Sequence, residues 1–246
     1  MSNIKLKNAP LKEAIFELFW NGPIDKSGFP IDNEYDLAQG RFDIEIRKNF
    51  PIYKRLIPAN SSIKILGQPA HQFWKNQLNW PVVQLGPGIM TVNETEKGYI
   101  WDNFRKTIHD SIQILVKSYD VSPSFQRLSL RYIDSVDLPE NINLLDFVNN
   151  SFKTKITNSF EAPGEIAGLN FNQIFTVFQN SKVHLNIQSA INNLNGKPAI
   201  VWITLIETNE ISGIDDILKW IDKAHNICSD LFKQTLNKSF YETFNG

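Results

Sequence analysis

The sequence predicts an α+β protein made of two pseudo-repeated β-α-β-β-β-α halves, which share a mainly antiparallel sheet with long helices packed on one face. Three patterns predict this fold. Strand-like alternation opens each half, a long amphipathic helical pattern closes each half, and turn signals separate the segments between them. The halves span residues 1–122 and 123–246, and no flexible linker divides them, so we expect one rigid unit. The alternative is a single irregular α+β domain.

The first half begins with a strand over residues 12–20, KEAIFELFW, whose even-numbered side is apolar and is therefore predicted to face the core. A helix follows, capped by Asp32 or Asn33, and ends near Phe50 because a proline comes next. Short strands are predicted in HQFW, NWPVVQL and GIMTVNE. An amphipathic helix over about 98–119 ends this half, because its large apolar residues recur at steps of three and four.

The glycine-rich stretch VQLGPGIMTVN, residues 83–93, has two interpretations. A phosphate-binding loop requires consecutive backbone N–H groups at the N-terminus of a helix. Here Gly86-Pro87-Gly88 leads from one strand into another, and the proline removes one N–H group. The pattern therefore favours a tight hairpin in which Gly88 adopts a positive φ angle.

The second half repeats this order. A strand in FQRLSLRYIDSVDL precedes a short helix in NLLDFVNNSF, and three strands are predicted near 170–179, 182–191 and 199–207. A second amphipathic helix covers about 214–236. Because the two long helices hold matching positions, we expect them on the same side of the sheet. The residues predicted to be buried there are Trp101, Phe104, Ile112, Ile217, Ile221 and Cys228.

Composition narrows the classes of function. The 25 basic and 26 acidic residues give a formal charge of −1 without a dense basic block, which disfavours nucleic acid as a partner. The four histidines lack metal-ligand spacing and there is one cysteine, so neither a metal nor another cofactor is predicted. No apolar run approaches the roughly 20 residues of a membrane helix. These features predict a cytoplasmic protein that does not bind membranes.

Three segments carry a family resemblance: NAPLKEAIFEL, VQLGPGIMTVN followed by GYIWDNF, and RLSLRYID. With them the chain resembles a sporadically distributed family of uncharacterised bacterial proteins, over about the first 140 residues and mainly by element order beyond. The sequence has Asp134 where the family pattern has Asn. The resemblance implies no activity. Its patchy distribution implies a mobile locus, such as phage defence or a toxin–antitoxin pair.

A polar strip is predicted on the side of the sheet opposite the core. Glu13 and Glu17 lie on the outward side of the first strand, and Arg127 and Arg131 have the same spacing on the equivalent strand of the second half. If these strands are neighbours, opposite charges face each other. The strip is either a set of exposed ion pairs of little energetic consequence or a binding surface. Its predicted continuation is His184, Asn186 and Gln188.

Asp134 interrupts an apolar series, because it is in phase with Leu130, Tyr132 and Val136. It is therefore either buried and hydrogen-bonded or turned outward by a bulge. A buried carboxyl group beside Arg131 is a candidate catalytic base.

The favoured hypothesis is a non-enzymatic binding protein, whose open sheet face recognises a protein partner or a small ligand and which forms a homodimer or a larger complex. A second hypothesis is a small hydrolase or nuclease that uses Asp134 with Glu13 or Glu17; clustered carboxylates would favour it. A third is a sheet platform that binds nucleic acid through Arg127, Arg131 and further basic residues.

Overall fold

The computed structural model describes residues 6–22, 24, 26, 31–58, 66–77, 79–95, 97–161, 163–211 and 213–245. The strands are β1 (Leu11–Trp20), β2 (Ile52–Arg55), β3 (His71–Asn76), β4 (Asn79–Gly86), β5 (Ile89–Thr95), β6 (Phe125–Asp137), β7 (Asn170–Thr176), β8 (Lys182–Ile191) and β9 (Pro198–Thr208). The helices are α1 (Tyr35–Ile46), α2 (Trp101–Ser118), α3 (Leu144–Ser151), α4 (Ile214–Thr235) and α5 (Lys238–Glu242).

The described strands form one open antiparallel sheet of nine strands in the order β2-β3-β4-β5-β1-β6-β9-β8-β7. The central neighbours are β1 and β6, so the strands of the first half lie on one side of this pair and those of the second half on the other. The predicted α+β class and antiparallel sheet are confirmed.

Three details differ from the predicted elements. α1 ends at Ile46, because the chain then makes turns in which the N–H groups of Asn49 and Phe50 both donate to the Ile46 carbonyl. β2 was not predicted, since four residues are too short for a clear alternation. The short α5 follows α4 and was also missed.

Both long helices pack on the side of the sheet to which the even-numbered residues of β1 point. Phe16 and Leu18 share one buried cluster with residues of α2 and α4, so the predicted placement of these helices is confirmed. Five of the six residues predicted to be buried are buried: Phe104, Ile112, Ile217, Ile221 and Cys228. Trp101 is only partly buried, because it begins α2 and stacks on His225. A second cluster joins α3, α5, β8 and β9.

The Gly-Pro-Gly stretch forms the β4–β5 hairpin, as predicted. Gly88 has a φ angle of +67°, and a Cβ atom there would lie 2.7 Å from the Trp20 carbonyl oxygen. A Cβ atom at Gly86 would lie 2.0 Å from the Gln68 carbonyl oxygen. Both glycines are therefore required by the close approach of neighbouring backbone.

Candidate functional site

The two faces of β6 separate the residues predicted to form a site. Arg131 lies on the face away from the helices, where its Nη2 is 3.3 Å from Oε2 of Glu17 on β1. The predicted neighbouring strands and Glu–Arg pair are therefore confirmed. Asp134 lies on the helix-covered face with Leu130 and Tyr132. Asp134 and Arg131 therefore point to opposite faces, and the suggested contact between them is not formed.

The predicted polar strip lies on the open face, and its side chains largely satisfy one another. Glu13 accepts a hydrogen bond from Asn93 Nδ2 at 2.7 Å, and Glu17 accepts one from Ser129 Oγ at 2.6 Å. Further contacts connect Gln72, Gln84 and Thr91 with Asn93, and connect Glu207 with both Arg127 and His184. These contacts form three separate groups, which lie on strands β3 to β1, on β1 and β6, and on β6 to β8.

Asp134 faces a cavity of about 430 Å³ on the helix-covered side. The cavity lies between the N-terminal ends of β1 and α2, the second half of β6, and α4. Its exposed lining residues are Ile100, Asp102 and Lys233, which mark its mouth. The inner lining includes Leu11, Tyr99, Trp101, Tyr132, Asp134, Thr204, His225 and Cys228.

The Asp134 carboxyl group is nearly inaccessible, with 5% of its residue surface exposed, and makes no hydrogen bond within the described part of the chain. Burial raises the pKa of Asp134 to about 8, although the positive charge of Lys12 opposes this effect. Near neutral pH the group is therefore mainly a neutral acid, which can donate one hydrogen bond and accept others.

Asp32 gives a contrast within the same protein. Its Oδ2 accepts hydrogen bonds from the Tyr119 hydroxyl at 2.6 Å, from Trp20 Nε1 at 3.0 Å and from the Gly88 N–H at 3.4 Å. Asp32 therefore has the donors expected of a structural carboxylate. Asp134 has its carboxyl oxygens directed at a cavity instead.

A chain of hydrogen bonds lines the wall beside Asp134. The hydroxyl groups of Tyr99 and Tyr132 are 2.8 Å apart, and the Tyr132 hydroxyl is 2.8 Å from Nδ1 of His225. The His225 ring stacks on Trp101 with centroids 3.8 Å apart and planes 6° apart. Burial lowers the pKa of His225 to about 4 and raises the pKa of both tyrosines, so all three groups are neutral at physiological pH.

The described residues do not bring together the groups considered for the alternative chemistries. Burial raises the pKa of the Cys228 thiol, so the thiolate needed for nucleophilic attack does not form near neutral pH. Asp134 is separated by the sheet from Glu13 and Glu17, so the three carboxyl groups do not converge. Among the residues with described positions, no cluster of histidine, cysteine and acidic side chains could hold a metal ion.

Most of the cavity was missed by the sequence analysis. The pattern singled out Asp134 and predicted that Cys228 is buried, but it did not connect the two residues. The cavity is lined by residues that are far apart in sequence, such as Tyr99, Asp134 and His225, so no local periodicity relates them. The available signal was a carboxylate in phase with buried apolar residues.

No protein-family model matches this chain, and no curated protein matches it significantly. The family resemblance therefore stays a prediction. Within the described residues, no helix is both long and apolar enough to cross a membrane.

Proposed function

We propose that this protein is a non-enzymatic binding protein whose small-molecule site is the Asp134 cavity. The observation that carries the proposal is a buried carboxyl group that makes no hydrogen bond with the described residues and faces a cavity of about 430 Å³. Burying such a group without a hydrogen bond costs free energy. A ligand that donates to Asp134 would remove this cost. The volume also lies within the range of small-molecule sites, roughly 300 to 1,000 Å³.

Protonation states support binding rather than catalysis. A general base must be able to accept a proton near the working pH, whereas Asp134 already holds one there and His225 is hydrogen-bonded through Nδ1 to Tyr132. The surrounding neutral aromatic groups form a fixed wall. These features suit orientation of a ligand more than proton transfer.

The site can be tested by filling it. Ser229 lines the cavity from α4, whereas Asn226 is exposed on the same helix and lies outside the lining. In a fragment screen followed by protein NMR, we expect binding fragments to shift the resonances of Trp101 and Tyr132. Ser229→Trp should abolish these shifts and Asn226→Trp should retain them. Fragments that bind wild type and Ser229→Trp equally would show that the cavity is not the site.

A second proposal concerns a protein partner on the open sheet face. Ile133 lies opposite Ile203 there, and Arg131 lies between Ile15 and Leu205. These apolar side chains are partly exposed and are flanked by the Glu17–Arg131 pair. An apolar centre with a polar rim is the usual composition of a protein interface. Because the polar groups already satisfy one another, the apolar centre supports this proposal better than the strip does.

The homodimer proposal rests on the edge strand β7. Ile174 and Phe175 are 58% and 40% exposed, and β7 contains neither a charged residue nor proline. Antiparallel pairing of two copies about Gln173 would place Phe171 opposite Phe175 of the second copy. Cross-strand aromatic pairs stabilise such pairing. The strand is therefore self-complementary.

We also propose that the two halves are a pseudo-repeat and that the protein works in the cytoplasm, within a mobile locus. The position of the halves on either side of β1 and β6 supports the first part. The second part follows from composition and from the family resemblance alone.

A further inference from the structure

We infer that the Asp134 cavity binds an organic cation, whose charged N–H groups donate to the Asp134 carboxylate while aromatic side chains enclose its apolar part. This inference rests on the proposed function and specifies the class of ligand. Three properties of the cavity lead to it: the balance of charge, the aromatic lining and the protonation of the surrounding groups.

Once Asp134 has lost its proton, the charge of the lining favours a cation over an anion. Asp134 lies in the interior and Asp102 at the mouth, and the described lining contains one basic side chain, Lys233, which is exposed at the mouth. Lys12 reaches Asp134 electrostatically from β1. An anionic ligand in the interior would approach the Asp134 carboxyl group, whereas a cation would supply the donor that this group lacks.

The aromatic lining provides the second part of a cation site. Its aromatic rings come from four elements and one loop, and burial raises the pKa of Tyr99 and of Tyr132, so both stay uncharged near physiological pH. The rings are those of Tyr99, Trp101, Tyr132, Phe232 and Tyr241. Ring faces attract a desolvated cation, by roughly 2 kcal/mol or more for each favourable contact. Neutral His225 adds no positive charge that would oppose this attraction.

Binding must release a proton when the ligand is already charged. The Asp134 carboxyl group holds its proton below a pKa of about 8, so a cation replaces that proton and the proton passes to the buffer. The products are a carboxylate–cation pair and one free proton. The other titratable groups around the cavity are Lys12 of β1, Tyr132 of β6, Tyr99 in the loop before α2, Asp102 of α2, His225, Cys228 and Lys233 of α4, and Tyr241 of α5. Burial lowers the pKa of His225 to about 4. Burial also raises the pKa of the Cys228 thiol and of the Tyr99 and Tyr132 hydroxyl groups.

The test uses three probes of nearly the same shape: benzamidine, which stays cationic, benzamide, which is neutral, and benzoate, which is anionic. Titration calorimetry at about pH 6, 7, 8 and 9, in two buffers of different ionisation enthalpy, measures both affinity and proton release. At about pH 8 we expect benzamidine to bind at least about tenfold more tightly than benzamide. Its affinity should rise about tenfold per pH unit up to about pH 8 and then level off, with release of close to one proton below that point.

Asp134→Asn should remove the preference for benzamidine and the proton release, and should still allow benzamide to bind. Glu94→Gln is the matched control, because Glu94 is as buried as Asp134 but lies outside the cavity lining, and it should leave all three affinities unchanged. If Asp134→Asn does not fold, the pH profile and proton release of the wild type decide the question without it.

The outcomes separate the ligand class from the site. Equal affinities for benzamidine and benzamide, or the tightest binding by benzoate, would overturn the cation inference and keep the cavity as a binding site. If benzamidine binds the wild type and Ser229→Trp equally tightly, the cation binds outside the cavity. This result would also overturn the inference. If no probe binds the wild type, the cation inference fails, and the fragment screen with Ser229→Trp decides the proposed function separately.

Discussion

Two aspartates at opposite ends of the β1–β6 pair differ in what surrounds them. Asp32 accepts hydrogen bonds from Trp20, Tyr119 and Gly88 near one end, and its role is structural. Asp134 lies near the other end and has a cavity where Asp32 has donors. The surroundings of Asp134 destabilise the charged form of its carboxyl group. The free energy of unfolding of the protein therefore depends on pH.

The free energy of unfolding should fall as the pH rises through 8. Asp134 binds its proton more tightly in the folded protein than in the unfolded chain, so its stabilising contribution is complete below the unfolded pKa and is lost as pH rises through the folded pKa of about 8. Between about pH 7 and pH 9.5 we expect a loss of about 1.4 kcal/mol that is absent from Asp134→Asn. Urea denaturation at both pH values measures this difference.

Asp32→Asn serves as the comparison. It weakens an acceptor with three donors, so it should destabilise the protein at both pH values and retain the pH-dependent loss. A wild-type protein whose stability does not change over this range, or an Asp134→Asn variant with the same dependence as wild type, would contradict the buried neutral acid.

At the scale of elements, β6 shows how one strand serves two environments. Leu130 and Asp134 point toward the helices, and Arg131 points toward the open face. Because the alternation is strict along this part of the strand, adjacent substitutions probe different surfaces. The cavity and the open face can therefore be disabled separately.

Adjacent substitutions in β6 should have very different effects on stability. Leu130 is fully buried, so Leu130→Ala should lower the free energy of unfolding by about 2 to 5 kcal/mol. The Arg131 side chain is 34% exposed and pairs with Glu17, so Arg131→Ala should cost less than about 1 kcal/mol. Chemical denaturation of the two variants measures both values. A loss of several kcal/mol from Arg131→Ala would show that the pair is structural and would remove it from the partner-binding surface.

The elements with a clear period were predictable from sequence, and the cavity was not. The alternation in β1 and β6 and the apolar stripes of α2 and α4 depend on neighbouring residues, so they appear in the sequence with the correct burial. The contact of Tyr132 with His225 depends instead on how α4 crosses the sheet. Likewise, parity predicted Glu17 and Arg131 on one face, but only the three-dimensional structure shows that no described residue donates a hydrogen bond to Asp134.

At the scale of the whole molecule, the two edges of the sheet differ. β2 is four residues long and carries Lys54 and Arg55, which are features that discourage pairing with another chain. β7 is seven residues long and uncharged, and within the described residues its outer edge receives no backbone hydrogen bond. The second edge is therefore the one open to strand addition.

We expect the protein to form a dimer through β7. Phe175→Lys would place a charge opposite Phe171 of the second copy, so it should shift the protein to monomer in analytical ultracentrifugation over a concentration series. Ile52→Lys is the matched change on β2, where the residue is 39% exposed, and should leave the dimer intact. A wild-type protein that stays monomeric throughout the series would refute the β7 dimer and would leave the Asp134 cavity unaffected.

The central position of β1 also affects the synthesis of the protein. β1 leaves the ribosome more than a hundred residues before β6, its neighbour in the finished sheet. During translation the first half can join β1 to β5, but the other edge of β1 stays unpaired until residues 125–137 emerge. An unpaired edge in the middle of the future sheet is a site for premature association between nascent chains. Rapid elongation through the segment between α2 and β6, or a chaperone that shields β1, would therefore raise the yield of correctly folded protein.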